Sequence, residues 1–124
     1  MIVLDSTVII DLLRGHGPAA TFLAGLTEVP ACSEVTRVEV VRGLRRDEQA
    51  SIEDLLRSLR WIALDEQIAR RAGELGRRWR RSHGGIGLAD LVVAATAQEL
   101  GAALATSNIR HFPMFEGLAA PYPA

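Results

Sequence analysis

Four residues far apart in the chain are of types that bind hard cations: Asp5, Glu39, Asp90 and Asn108. Asp5 closes the apolar run Ile2-Val3-Leu4 and is followed by Ser6-Thr7-Val8-Ile9-Ile10. An acid there reads as the tip of a buried central strand, and ligands of open α/β sheets bind at the carboxyl ends of such strands. Burying a carboxylate with no basic neighbour is costly unless something cationic meets it. Arg14, the nearest base, is expected on the far side of a helix, so a metal ion is the simplest partner. Glu39 falls among valines and arginines, Asp90 near the start of the most apolar stretch, and Asn108 behind Ala102-Ala103-Leu104-Ala105. Each also has a plainer explanation. Asp5 could cap a helix beginning at Ser6. Glu39 could pair with Arg42 at i+3. Asp90 could complement a helix dipole, and Asn108 could occupy a turn.

The elements that would position these residues alternate. Strands are expected at Ile2–Leu4, Glu28–Cys32, Arg60–Leu64 and Ala102–Ala105. Helices are expected at Ser6–Leu13, Ala19–Leu26, Thr36–Arg45 (capped by Ser33 or Thr36), Asp47–Leu59, Asp65 to about Arg81, and Leu88–Leu100. Alternation of this kind predicts an α/β chain, a three-layer α/β/α arrangement around a central parallel sheet. At 124 residues, the chain 1–124 forms a single domain. No apolar run approaches the roughly 20 residues of a membrane span, and no basic leader precedes the first apolar stretch. Cys32 is the one cysteine; it reads as a buried strand residue, and a lone thiol fits a reducing cytoplasm.

The formal charge is −1, and all 14 basic residues are arginine. The missing lysine excludes a Walker-type phosphate loop and Schiff-base chemistry. An aspartyl-phosphate phosphatase is disfavoured as well, since Thr7 stands where that chemistry needs a second Asp. Arg70, Arg71, Arg77, Arg78, Arg80 and Arg81, with His83, crowd one segment. That segment is either a solvated helix face with partial pairing to Glu66 and Glu74 or a ridge for phosphates.

The local wording around the four residues resembles a known family. Val3-Leu4-Asp5-Ser6-Thr7-Val8-Ile9-Ile10-Asp11-Leu12-Leu13, Thr36-Arg37-Val38-Glu39-Val40-Val41-Arg42-Gly43-Leu44, Ile86-Gly87-Leu88-Ala89-Asp90-Leu91-Val92-Val93-Ala94-Ala95-Thr96-Ala97 and Leu104-Ala105-Thr106-Ser107-Asn108-Ile109-Arg110-His111-Phe112 are similar, in that order, to segments of PIN domains, specifically VapC-type toxins of bacterial toxin–antitoxin systems. The resemblance spans nearly the whole chain. It implies a PIN-like fold and a Mg²⁺- or Mn²⁺-dependent endoribonuclease in which Asp5, Glu39 and Asp90 hold metal. Asn108 matches a fourth position that is often Asp, and Ser6, Thr7 and Thr106 match hydroxyl residues that orient the acids. It further implies an RNA substrate, a VapB-type antitoxin, a homodimer and a cytoplasmic setting. Arg77, Arg78, Arg80, Arg81 and Arg110 become candidate RNA contacts, with His111 a further phosphate contact. The alternative on the same fold is a PIN-like module that binds RNA or protein without cleaving. Three carboxylates supply −3 against the +4 of two divalent ions, and Asn108 adds no charge, so one well-occupied metal is expected without RNA.

Overall fold

The computed structural model describes Met1–Ala124. Four short strands, β1 (Ile2–Leu4), β2 (Ala31–Ser33), β3 (Arg60–Ile62) and β4 (Ala103–Ala105), pair in parallel in the order β3-β2-β1-β4. Six helices surround them: α1 (Ser6–Leu13), α2 (Gly17–Ala24), α3 (Glu34–Arg42), α4 (Gln49–Arg57), α5 (Glu66–Trp79) and α6 (Leu88–Leu100). The expected parallel α/β/α architecture is therefore present. None of these helices is long and apolar enough to cross a membrane.

Strand alternation sorts the core into two layers. Val3, Ala31 and Leu104 point to one face and pack with Ile68, Ala72 and Leu75 of α5, Val92, Val93 and Ala97 of α6, and Phe112. Leu4, Cys32 and Ala105 point to the other and pack with Val8, Ile9, Val40, Ile52 and Leu56. Residues Val92–Ala97 of α6 are buried without a break, as its almost wholly apolar sequence implies. Cys32 is fully buried, and desolvation pushes its thiol up to about 12, which leaves it an inert core residue.

Several boundaries differ from expectation, each for a local reason. β2 is confined to Ala31–Ser33 because Pro30 brings no N–H to the ladder and Val29 is exposed. β3 ends at Ile62 because its register partner Ser33 is the last residue of β2, where the chain turns into α3. α3 starts at Glu34, not Thr36, because the Ser33 Oγ caps it by accepting the Val35 N–H at 3.2 Å, and it ends at Arg42 before Gly43. α2 begins earlier than expected, at Gly17, because Pro18 suits the first helical turn. A 3-10 turn at Arg46–Glu48 precedes α4, and α5 ends at Trp79. The Asp65 carboxylate caps α5 as expected, accepting the Ile68 N–H at 2.9 Å.

α5 and α6 form an antiparallel pair. Arg71, midway along α5, meets the end of α6 through Glu99 at 3.2 Å and Gln98 at 3.2 Å. Further along α5, Gly76 faces Leu91 at the start of α6, and a Cβ on Gly76 would stand 2.9 Å from the Leu91 Cδ1. The C-terminal end of α5 is thus held against the turn that carries Asp90. Gly76→Ala must displace only the tip of a flexible side chain, while alanine gains roughly 1 kcal/mol of helix propensity over glycine. We expect a thermal midpoint within a few degrees of the unaltered protein; Gly76→Val, with two further methyl groups at the same contact, lowers it clearly.

Candidate metal centre

The chain runs β1, β2, β3 outward to one side of the sheet and then crosses to place β4 on the other side of β1. The direction of winding therefore reverses between β1 and β4, and crevices at the carboxyl ends of strands open at such reversals. Asp5 leaves β1 at this point, and Thr106-Ser107-Asn108 leave β4 beside it. The Asp5 N–H donates to the Ala105 carbonyl at 2.9 Å, so the two strand ends are stitched together at the crevice.

Asp5 is 1% exposed. It stands at the start of α1 but makes no side-chain cap bond, so the capping explanation fails. Its Oδ2 accepts the Thr106 hydroxyl at 2.7 Å and the Thr7 hydroxyl at 3.2 Å. The Thr106 hydroxyl also accepts the Asn108 N–H at 3.0 Å, and the Thr7 hydroxyl accepts the Ser107 N–H at 3.1 Å. Each threonine therefore relays a backbone N–H onto Asp5 and fixes its orientation. The Asp5 Oδ1 is buried and has no hydrogen-bond partner.

Glu39 projects from α3 toward the same point. Its Oε1 is also buried and without a partner. Desolvation and then the charge of Asp5 raise its carboxyl above the ordinary range; Ser6 opposes this, Asp90 adds to it, and Arg42 offsets it weakly from a distance. The simple surface pair with Arg42 is therefore not what Glu39 forms. Asp90, in the first turn of α6, is likewise raised by desolvation and by Asp5, with His111 opposing. Asp5 acts on both of the other acids, and Asp90 acts on Glu39.

His111 was not expected beside Asp90. Its Nδ1 lies 3.0 Å from the Asp90 Oδ2, close enough for an ion pair but out of line for a directed hydrogen bond. It reaches that position because the 3-10 turn Ile109–His111 follows β4 after only Thr106-Ser107-Asn108. No local pattern announces the contact; only the adjacency of β4 and α6 produces it. Asn108 begins that turn, half-buried, and joins the cluster through its backbone N–H. Arg110 is exposed on the same turn. Arg77, Arg78, Arg80 and Arg81 stand exposed at the end of α5, outside the acid cluster. Of the pairs expected on α5, Glu66–Arg70 forms at 2.8 Å, whereas Glu74 and Arg78 line a surface depression.

These features fit a divalent cation. Two buried carboxylate oxygens, on Asp5 and Glu39, lack partners, and carboxylates are hard oxygen donors of the kind that suit Mg²⁺ or Mn²⁺. The acids do not close into a compact three-ligand cage. Mg²⁺ keeps several waters and takes only one or two carboxylates directly, so a compact cage is not required.

The raised carboxyls carry a pH signature. A carboxyl whose folded pKa is raised favours the fold when protonated. That contribution is present below the ordinary carboxylate value and is lost as pH rises through the raised folded value. Glu34 has the opposite sign, because its hydrogen bond to Arg37 lowers it, but that pair is exposed and screened. In EDTA we expect the melting temperature to rise as pH falls from neutral toward the ordinary carboxylate range, and Glu39→Gln to flatten that rise. A melting temperature that falls steadily over this window contradicts the arrangement.

Residues 2–115 match the PIN domain family. The chain belongs to this family. It is 44% identical to ribonuclease VapC19 of Mycobacterium tuberculosis over 125 aligned residues, covering 98% of this chain and 100% of that one. It is also 44% identical to ribonuclease VapC10 of the same organism, covering 98% and 93% of the two chains. Among solved structures, a toxin–antitoxin complex from Klebsiella pneumoniae superposes with a TM-score of 0.86 at 26% identity over 100% of both chains. The PIN-like fold expected from the four segments is thus the fold this chain has.

Proposed function

We propose that this PIN-domain protein is an endoribonuclease, the toxin of a VapBC-type toxin–antitoxin pair, which hydrolyses RNA phosphodiester bonds at the crevice between β1 and β4. The observation that carries this reading is the influence of Asp5 on Glu39 and Asp90 at the winding reversal, with unpartnered buried oxygens on Asp5 and Glu39. The 44% identity to two ribonucleases over almost the full chain supports the same reaction.

Asp5, Glu39 and Asp90 would hold Mg²⁺ or Mn²⁺, which when bound supplies a more acidic water and neutralises charge on the phosphate. Thr106 and Thr7 keep the Asp5 Oδ2 engaged, so its unpartnered Oδ1 is held in one orientation. His111, beside Asp90, can hold a proton or contact a phosphate oxygen. Asn108 presents a neutral amide where a fourth acid would add charge. Binding of one ion before RNA arrives follows from that charge count. Calorimetric titration of the RNA-free protein with Mn²⁺ should give a single tight site; two tight sites contradict it.

The antitoxin, a VapB-type protein, covers the toxin until released, and the toxin works as a homodimer in the cytoplasm. Induced expression in a bacterial host should arrest growth, and co-expression of the antitoxin from the adjacent reading frame should restore it. Purified protein should cut total RNA at discrete single-stranded sites with Mn²⁺. Growth arrest without any RNA cleavage would favour the non-cleaving alternative on the same fold.

A further inference from the structure

The arginine-rich end of α5 has no part in the acid cluster, yet the α5–α6 packing brings it beside Asp90. A depression of about 230 Å³ lies there, lined by Gly76, Trp79, Arg80, His83, Ile86 and Leu91. Leu91 is the residue after Asp90, and neighbouring Cα atoms are about 3.8 Å apart, so the depression opens next to the turn that carries the acid. One side of it is aromatic: the Trp79 and His83 rings pack edge to face, 5.3 Å apart at 72°. Ser82 Oγ lies 2.9 Å from the His83 Nδ1, which orients the imidazole. Around it Arg77, Arg80 and Arg81 are exposed and take part in no ion pair, whereas Arg70 and Arg71 on the same helix are engaged by Glu66 and Glu99.

Flat rings within a cationic rim suit a particular ligand. Single-stranded nucleic acid is held by stacking of bases on aromatic side chains while basic residues track its phosphates, and splayed-out bases are what sequence-selective RNA-binding proteins read. An apolar peptide would find the ring walls congenial but would gain nothing from the unpaired arginines. We propose that this depression is a nucleobase subsite, holding a base of single-stranded RNA adjacent to the cleaved bond, with the edge-to-face Trp79–His83 pair as the surface on which the base stacks and Arg80 against the neighbouring phosphate. Arg77 and Arg81 extend the phosphate track away from the acids. The proposal rests on the ribonuclease reading and adds to it a determinant of where the RNA is cut.

The test is steady-state cleavage of a single-stranded oligoribonucleotide with one mapped site, in Mn²⁺, by the unaltered protein and by His83→Ala and Arg80→Ala. Both side chains are exposed, so the fold should tolerate their loss. Arg57→Ala, at an exposed position of α4, is the control for a non-specific loss of charge. We expect KM to rise about fivefold to tenfold in His83→Ala and in Arg80→Ala, by more than kcat changes, with Arg57→Ala unaltered. Substrates carrying an abasic nucleotide at each flanking position in turn identify the base that is bound. At that position the abasic substrate should abolish the difference between the unaltered protein and His83→Ala. Cleavage with unchanged KM in both variants overturns the subsite alone and leaves the depression to a protein partner. Absence of cleavage by the unaltered protein overturns the ribonuclease reading, and the subsite with it.

Discussion

Asp5→Asn should lower RNA cleavage by about three orders of magnitude, roughly 4 kcal/mol of barrier, while the protein stays folded. Asparagine keeps an oxygen where the Asp5 Oδ2 now accepts the Thr106 and Thr7 hydroxyls, so the links between β1 and β4 persist. What is lost is the charged, unpartnered Oδ1, the atom best placed to meet a cation. Replacing a buried unpaired charge by a neutral amide also removes a desolvation cost and one of the charges that raise Glu39 and Asp90. Metal-free Asp5→Asn should therefore melt no lower than the unaltered protein, and at neutral pH somewhat higher. Circular dichroism melts in EDTA, run beside the cleavage assay, separate this from simple unfolding. A variant that retains cleavage within tenfold removes Asp5 from the site.

Thr106→Val should have the next largest effect. Thr106 is fully buried and its hydroxyl both donates to Asp5 and accepts the Asn108 N–H. Valine fills the same volume but leaves the Asn108 N–H without its acceptor and the Asp5 Oδ2 with only the longer Thr7 bond, at a cost of about 1–3 kcal/mol. Loss of a group that orients a metal-holding side chain commonly weakens metal binding or activity about 10- to 100-fold. We expect an activity loss in that range, smaller than that of Asp5→Asn, together with a lower melting temperature. Thr106→Ser, which keeps the hydroxyl, should recover most of both. If valine is tolerated and serine is not, shape matters at this position and the hydrogen bonds do not.

The two substitutions also mark how far local sequence reaches. An acid closing an apolar run was enough to suggest a strand-end site at Asp5, and the helical wording around Glu39 and Asp90 placed both on helices. Whether Asp5 capped a helix or faced a cation was not decided locally. The decision lies with Thr106, which is 101 positions away in sequence and reaches Asp5 only because β4 pairs with β1. His111 is a similar case: its approach to Asp90 depends on the start of α6 and the end of β4 sharing one edge. Strand extents were overestimated for a related reason. Ala63 and Leu64 are as apolar as the residues before them, yet the β2 partner has already turned into α3, so there is no ladder for them to join. The opposite holds for α5, where the Asp65 cap and the Ile68, Ala72 and Leu75 stripe are local signals and the helix forms where they indicate. The arginines of α5 and the turn after it were ambiguous in sequence. Packing divides them, engaging Arg71 through α6 while leaving Arg77, Arg78, Arg80 and Arg81 in the open.

The central claim is that Asp5, Glu39 and Asp90 hold a divalent ion that RNA hydrolysis requires. The most direct measurement is the initial rate of cleavage of one mapped oligoribonucleotide as Mn²⁺ is titrated into metal-free protein, for the unaltered chain and for Asp5→Asn. The account predicts no cleavage in EDTA, a saturable rise with Mn²⁺ for the unaltered chain, and no comparable rise for Asp5→Asn at any concentration tested. Full-rate cleavage in EDTA, or the same Mn²⁺ dependence in both proteins, would contradict it.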